Sequence, residues 1–240
     1  MNNKITNMTT TFATKCYEKD WEILIKQGGI QNKINNLNYN FDKRVLFINN
    51  VDNVNLVKQE ADKLISQNII DEYHVVEEYA DEVLEKFNII KESFNGGYYY
   101  SIAELTSIYL CNTDYLLQLT GDTICEEKNF NWVDKAINIM ENNPKILVAN
   151  ATWNFKYDEA ERESFSEDDE WYYGYGFSDQ CYFIKTANFN QSIYNEYNKM
   201  SDRYPSYGGE LFEKRVDSYM RNKELYRITS KHISYSHPKY

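Results

Sequence analysis

No run of the sequence approaches the roughly 20 continuous apolar residues that a membrane-spanning helix needs. The opening stretch, "MNNKITNMTTTF", also lacks the apolar core of a signal peptide. Cysteine is sparse: Cys16, Cys111, Cys125 and Cys181 lie far apart with no C-x-x-C pair. That spacing excludes a zinc ribbon and a disulfide-built secreted scaffold. Proline is rarer still, with 3 residues and no Pro-rich linker to divide the chain. Positive charge is short as well. Against 37 Asp and Glu stand 26 Lys and Arg, a net charge of −11, with no basic cluster. A surface that wraps nucleic acid or rests on an anionic membrane is thereby excluded. The expectation is a soluble, reduced, cytoplasmic protein without stable membrane insertion. A phosphorylated substrate stays open, since a divalent cation can offset the acidity.

Aromatic residues are plentiful: 22 Tyr, 12 Phe and 4 Trp. Tyr joins a flat apolar face to a hydroxyl, which suits sugar or nucleotide contacts. The plain alternative is compositional drift, because Asn, Lys and Ile are abundant too. The hydrophobic pattern alternates between strand and helix. "ITNMTTTFA" reads as a strand. A helical stripe of Trp21, Leu24, Ile25, Ile30, Ile34 and Leu37 follows, weakened at Gly28-Gly29. Val45–Ile48 reads as a second strand and residues 54–67 as a helix. "EYHVVEEY" is a third strand, then come two helices and the apolar strand "YLLQL" at 115–119. Further along, Asn131 starts a helix that Pro144 stops, and "KILVAN" and "QCYFIK" read as strands. "GGELFEKRVDSYMRN" is a helix, and the tail looks like two short strands. Residues 153–179 read as a long acidic and aromatic connection of the functional or mobile kind. The alternation predicts one α/β domain over 1–240 with a mainly parallel sheet flanked by helices. Residues about 1–130 form a Rossmann-like half, and about 131–240 a second half.

In such sheets ligands lie beyond the carboxyl ends of the strands. Three polar strand ends qualify: Thr9 to Thr14, Asn49 to Asp52, and Thr120-Gly121-Asp122-Thr123. In order and context the chain resembles the inverting glycosyltransferases of family two, with the A-type nucleotide-diphospho-sugar transferase fold. The Thr-rich strand, the strand ending in Asp52 and "TDYLLQLTGDT" carry the first part of that resemblance. "GYGFSDQCYFIKT", "YGGELFEKRV" and "ISYSHPKY" carry the second. It spans nearly the whole chain through short motifs. One departure stands out. Where the family has Asp-any-Asp, this chain has Thr120-Gly121-Asp122, so one carboxylate remains.

The resemblance implies a glycosyltransferase of the hexosyltransferase type. It would move a sugar from a nucleoside-diphosphate sugar to a glycan or other hydroxyl acceptor, with inversion and with Mn²⁺ or Mg²⁺. Asp122 is the metal candidate, since such cations use one or two carboxylates and take phosphate and water for the rest; otherwise it closes a turn. The resemblance adds His237 as a late metal ligand, and Thr10, Thr11 and Phe12 as nucleotide contacts in place of plain strand residues. Asp52 would meet the ribose or base, or else cap the next helix. For the general base Glu210 comes first, just after Gly208-Gly209, which would let an acceptor approach. Glu213 and Asp179 compete. Trp171, Tyr172, Tyr173 and Tyr175 would stack on sugar or merely pack. Two other readings remain: a non-catalytic carbohydrate- or nucleotide-sugar-binding protein on the same fold, and a sugar-1-phosphate nucleotidyltransferase. The second should carry an N-terminal Gly-rich loop, and "TTTFATKC" has no glycine.

Overall fold

The computed structural model describes residues 8–125 and 131–237. β1 (Thr10–Cys16) is followed by a wide turn (Glu22–Lys26), then by α1 (Gly29–Leu37). The Gly28-Gly29 break thus separates two helical pieces, as their helix-weakening character predicts. Next come β2 (Lys43–Ile48), α2 (Val54–Ser66), β3 (Glu72–Val75), α3 (Ala80–Phe87) and α4 (Tyr98–Leu110). β4 (Tyr115–Thr120) leads through a tight turn into the short β5 (Ile124–Cys125). The remainder is α5 (Trp132–Asn142), β6 (Ile146–Trp153), α6 (Tyr157–Glu163), β7 (Ser164–Glu167), β8 (Trp171–Gly174), β9 (Cys181–Lys185), α7 (Thr186–Phe189), α8 (Phe212–Asn222) and β10 (Tyr226–Ser236).

One sheet runs through both halves in the order β3-β2-β1-β4-β9-β6-β10-β8-β7, with β5 on β10. The first four strands are parallel, as the strand–helix alternation predicts. The second half is mixed: β9 is antiparallel to β4 and β6, while β10 is parallel to β6 and antiparallel to β8. Every residue of β4 is buried because both faces are covered. Tyr115, Leu117 and Leu119 face a layer with α1, α2 and α5; Leu116 faces α3, α4 and α8.

Three sequence expectations need correction. Residues 153–179 are not one long connection: α6 and the β7–β8 hairpin occupy most of it. The tail is one 11-residue strand, β10, whose register breaks between Thr229 and Ser234. Asn131 stands at the start of α5 in a left-handed conformation (φ 50°) without a side-chain cap. No helix among the described residues is long and apolar enough to cross a membrane.

Candidate functional site

The chain leaves β1 toward β2 and β3 on one side, then returns to form β4 on the other. This reversal opens a crevice at the carboxyl ends of β1 and β4, where open α/β sheets bind ligands. A cleft of about 770 Å³ lies there. Its lining includes Lys15, Asn49, Asn50, Asp122, Asp179 and Glu213.

Asp122 occupies the turn between β4 and β5. β5 pairs with the last residues of β10, Cys125 opposite Tyr235 and Ile124 opposite Ser236. That pairing carries the next residue, His237, back to the turn. His237 Nδ1 lies 3.3 Å from Asp122 Oδ2. Two neighbouring ligands on an octahedral ion with bonds of about 2.1 Å stand about 3 Å apart, so the pair fits one hard cation. Among the described residues no group of three His, Cys, Asp or Glu side chains forms a fuller cage. Phosphate and water would supply the remaining positions.

The turn itself is braced from behind. Thr120 and Thr123 hydroxyls meet at 2.5 Å, and Thr123 N–H donates to Thr120 O at 3.1 Å. Lys33, on α1, donates to Thr120 O at 3.0 Å and also to Thr123 O. Burial lowers the Lys33 pKa to about 8. Gly121 is required by close approach: a Cβ there would lie 2.5 Å from Asp20 Oδ2 and 2.7 Å from Lys15 O. Asp20 is 6% exposed, accepts from Tyr17 N–H at 2.8 Å, and is pushed up to about 7, mainly by burial.

Beside the turn, where Thr120 N–H donates to Gln180 O at 3.0 Å, Asp179 and Glu213 form a close pair. Asp179 lies just before β9 and Glu213 in the first turn of α8; Asp179 N–H donates to Glu213 Oε1 at 2.9 Å. Burial raises both acids above the usual carboxylate range, and the Asp179 charge raises Glu213 further. The Lys15 ammonium, at the end of β1, pulls Asp179 the other way. Lys15 is itself anchored. It donates to Glu104, which is wholly buried on α4 and accepts from Tyr182 OH at 2.6 Å.

The other candidates lie elsewhere. Thr10, Thr11 and Phe12 sit at the amino end of β1, away from the cleft, because the strand continues to Cys16. Thr10 N–H donates to Asp42, Thr11 meets the Thr113 hydroxyl, and Phe12 is in the core. Asp52 is exposed and outside the cleft lining; Asn53, not Asp52, caps α2, accepting from Leu56 N–H at 3.1 Å. Glu210 turns to Lys214 at 2.8 Å and does not line the cleft. The Gly208-Gly209 pair serves packing: Gly209 has φ 61° and faces the Ser93 carbonyl. Trp171 and Tyr172 are buried at 1% and 9%, so they pack; Trp153, 45% exposed, is the tryptophan on the cleft.

Of the polar strand ends, Asn49 does line the cleft, whereas Lys15, Lys33, Asp20 and Glu104 are not marked as site residues by the sequence pattern. The sequence held one signal, since Lys33 falls in the apolar stripe of Ile30 and Leu37. Lys15 escaped because β1 was ended too early.

No family model matches the sequence, and no curated protein matches it. Solved structures do resemble it. GalNAc-T7, crystallised with UDP, GalNAc and Mn²⁺, is 9% identical with a TM-score of 0.59, over 96% of this chain and 44% of that one. Glucosyl-3-phosphoglycerate synthase from Mycobacterium tuberculosis, with Mn²⁺, UDP and phosphoglyceric acid, is 10% identical with a TM-score of 0.50. That match covers 98% of this chain and 72% of the synthase. The fold is that of the A-type glycosyltransferases. At these identities the likeness concerns fold, and the chain spans less than half of GalNAc-T7.

Proposed function

We propose that the protein is a glycosyltransferase that moves a sugar from a nucleoside-diphosphate sugar to a hydroxyl acceptor, with inversion and with Mn²⁺ or Mg²⁺. One observation carries the reading: a single cleft at the strand-order reversal is lined by Asp122, which His237 contacts from beside it, and by the Asp179–Glu213 pair. The two neighbours described above were crystallised with UDP and Mn²⁺, which supports the donor class and the ion.

The donor nucleotide lies over the ends of β1 and β2, where Asn49 and Asn50 line the cleft. Asp122 and His237 would hold the cation, which would supply Lewis-acid neutralisation of the leaving diphosphate. Asp179 takes the acceptor proton. Glu213 holds Asp179 through its main-chain N–H and keeps the shared proton, because two carboxylates this close do not both ionise readily. A single displacement by the acceptor oxygen then inverts the anomeric carbon. Trp153, with Lys156 Nζ 4.4 Å above its ring, gives the acceptor side an aromatic face.

The inward turn of Thr120 favours a second reading, a non-catalytic nucleotide-sugar-binding protein on the same fold. A screen of nucleotide sugars for hydrolysis and transfer, run on wild type and Asp122→Ala, separates the two. Turnover that needs Asp122 supports the enzyme. Donor binding without turnover supports the binding protein, and turnover untouched by Asp122→Ala sinks the mechanism.

A further inference from the structure

A lysine 3% exposed is unusual, because burying an ammonium is costly unless its donors are well used. Lys33 uses them on main-chain carbonyls at the two ends of one turn, Thr120 O at 3.0 Å and Thr123 O. Between those carbonyls lie only Gly121 and Asp122. Thr120 points inward to the Thr123 hydroxyl, so the position where the resemblance expects a first carboxylate is an internal brace. Asp20 and Leu24 close the back of Gly121, leaving no room for a side chain there. The turn thus offers a single carboxylate, Asp122, and is fixed from behind by a buried cation.

We infer that Lys33 is a positioning residue for the Asp122 site: by tying both ends of the Thr120–Thr123 turn, it holds Asp122 at His237 and lets a one-carboxylate motif bind a divalent cation. The inference rests on the metal reading proposed above. The ammonium carries three donors on one nitrogen at the end of a long stem, and two of them serve these carbonyls. Its charge also lies directly behind the carboxylate turn, so it offsets some of the acidity of Asp20 and Asp122.

The test uses the full chain and two probes, Mn²⁺ with UDP and uridine alone. Free Mn²⁺ is followed by electron paramagnetic resonance, and uridine binding by calorimetry. Lys33→Met, which keeps the stem and removes the donors, is expected to weaken Mn²⁺ binding in the presence of UDP by roughly tenfold or more, the scale seen when a group supporting a metal ligand is lost. Uridine, which needs no metal, should bind unchanged. Mn²⁺ affinity equal to wild type overturns the inference. So does a parallel loss of Mn²⁺ and uridine binding, because Lys33 would then serve the fold as a whole. If Lys33→Met does not fold, Lys33→Leu, which also removes the donors and fills less space, carries the same two readings. Asp122→Asn runs alongside. If it leaves Mn²⁺ binding intact, the metal reading fails whatever Lys33 does.

Discussion

Asp179 gives its main-chain N–H to Glu213 Oε1 at 2.9 Å, tying the segment that leads into β9 to the first turn of α8. The two acids therefore work as a unit, and their variants should differ. Asp179→Asn removes the base and should lower transfer by about 10²–10⁴-fold. Glu213→Gln keeps the acceptor oxygen for the Asp179 N–H and should cost much less. Glu210→Gln, directed at the Lys214 side, should leave kcat unchanged. Steady-state kinetics on the three variants checks the order; a larger loss for Glu213→Gln would exchange the roles.

The pH profile follows from the same pair. Burial raises Asp179 above its ordinary value near 4, and the base works only when ionised. Activity should be full above that raised value and fall as the pH drops through it. The acid limb then lies above pH 4. Lys15 favours the ionised form, so Lys15→Met should move the limb to higher pH. A limb at the ordinary carboxylate value, unmoved by Lys15→Met, would remove Asp179 from the reaction.

Metal dependence should be split unevenly between Asp122 and His237. Asp122→Asn removes the only carboxylate of the pair and should abolish Mn²⁺-dependent transfer. His237→Ala should instead raise the Mn²⁺ concentration needed by about tenfold, with kcat at saturating metal largely kept. Activity titrated against Mn²⁺ reads both.

Much of this arrangement was legible in the chain, and the gaps have physical causes. The strand–helix alternation gave the parallel half, because continuous apolar strands such as "YLLQL" occur where both faces are buried. Asp122 could be placed because it follows such a strand directly. Thr10 to Phe12 were misplaced because β-branched residues mark a strand without marking its end. Lys15 and Glu104 could not be paired from sequence, since 89 residues separate them and only the β1–α4 packing joins them. Glu213 lies in the first turn of α8 whereas Glu210 precedes the helix, and only where the helix begins decides which one lines the cleft. His237 reaches Asp122 only through the β5–β10 pairing, a contact no local pattern announces.

Stability should carry the mark of Asp20. Its folded value of about 7 lies above the unfolded value near 3.9, so the fold binds the proton more tightly. The stability it contributes is full below about pH 4 and is lost as the pH rises through about 7. Asp20→Asn keeps an acceptor for Tyr17 N–H and removes the charge. It should be more stable than wild type above pH 7, by at most about 4 kcal/mol, with the gain vanishing near pH 4. Urea unfolding at pH 4, 6 and 8 measures the trend, and a gain independent of pH would exclude this origin.

The central claim is that one cleft binds a nucleoside diphosphate through a cation held at Asp122 and His237. Calorimetric titration of wild type with UDP and with GDP, each with and without Mn²⁺, tests it most directly. The account predicts that one of the two nucleotides binds, with the metal required, and that Asp122→Asn abolishes the metal-dependent part. Binding of neither nucleotide, or equal binding with and without Mn²⁺, would contradict it.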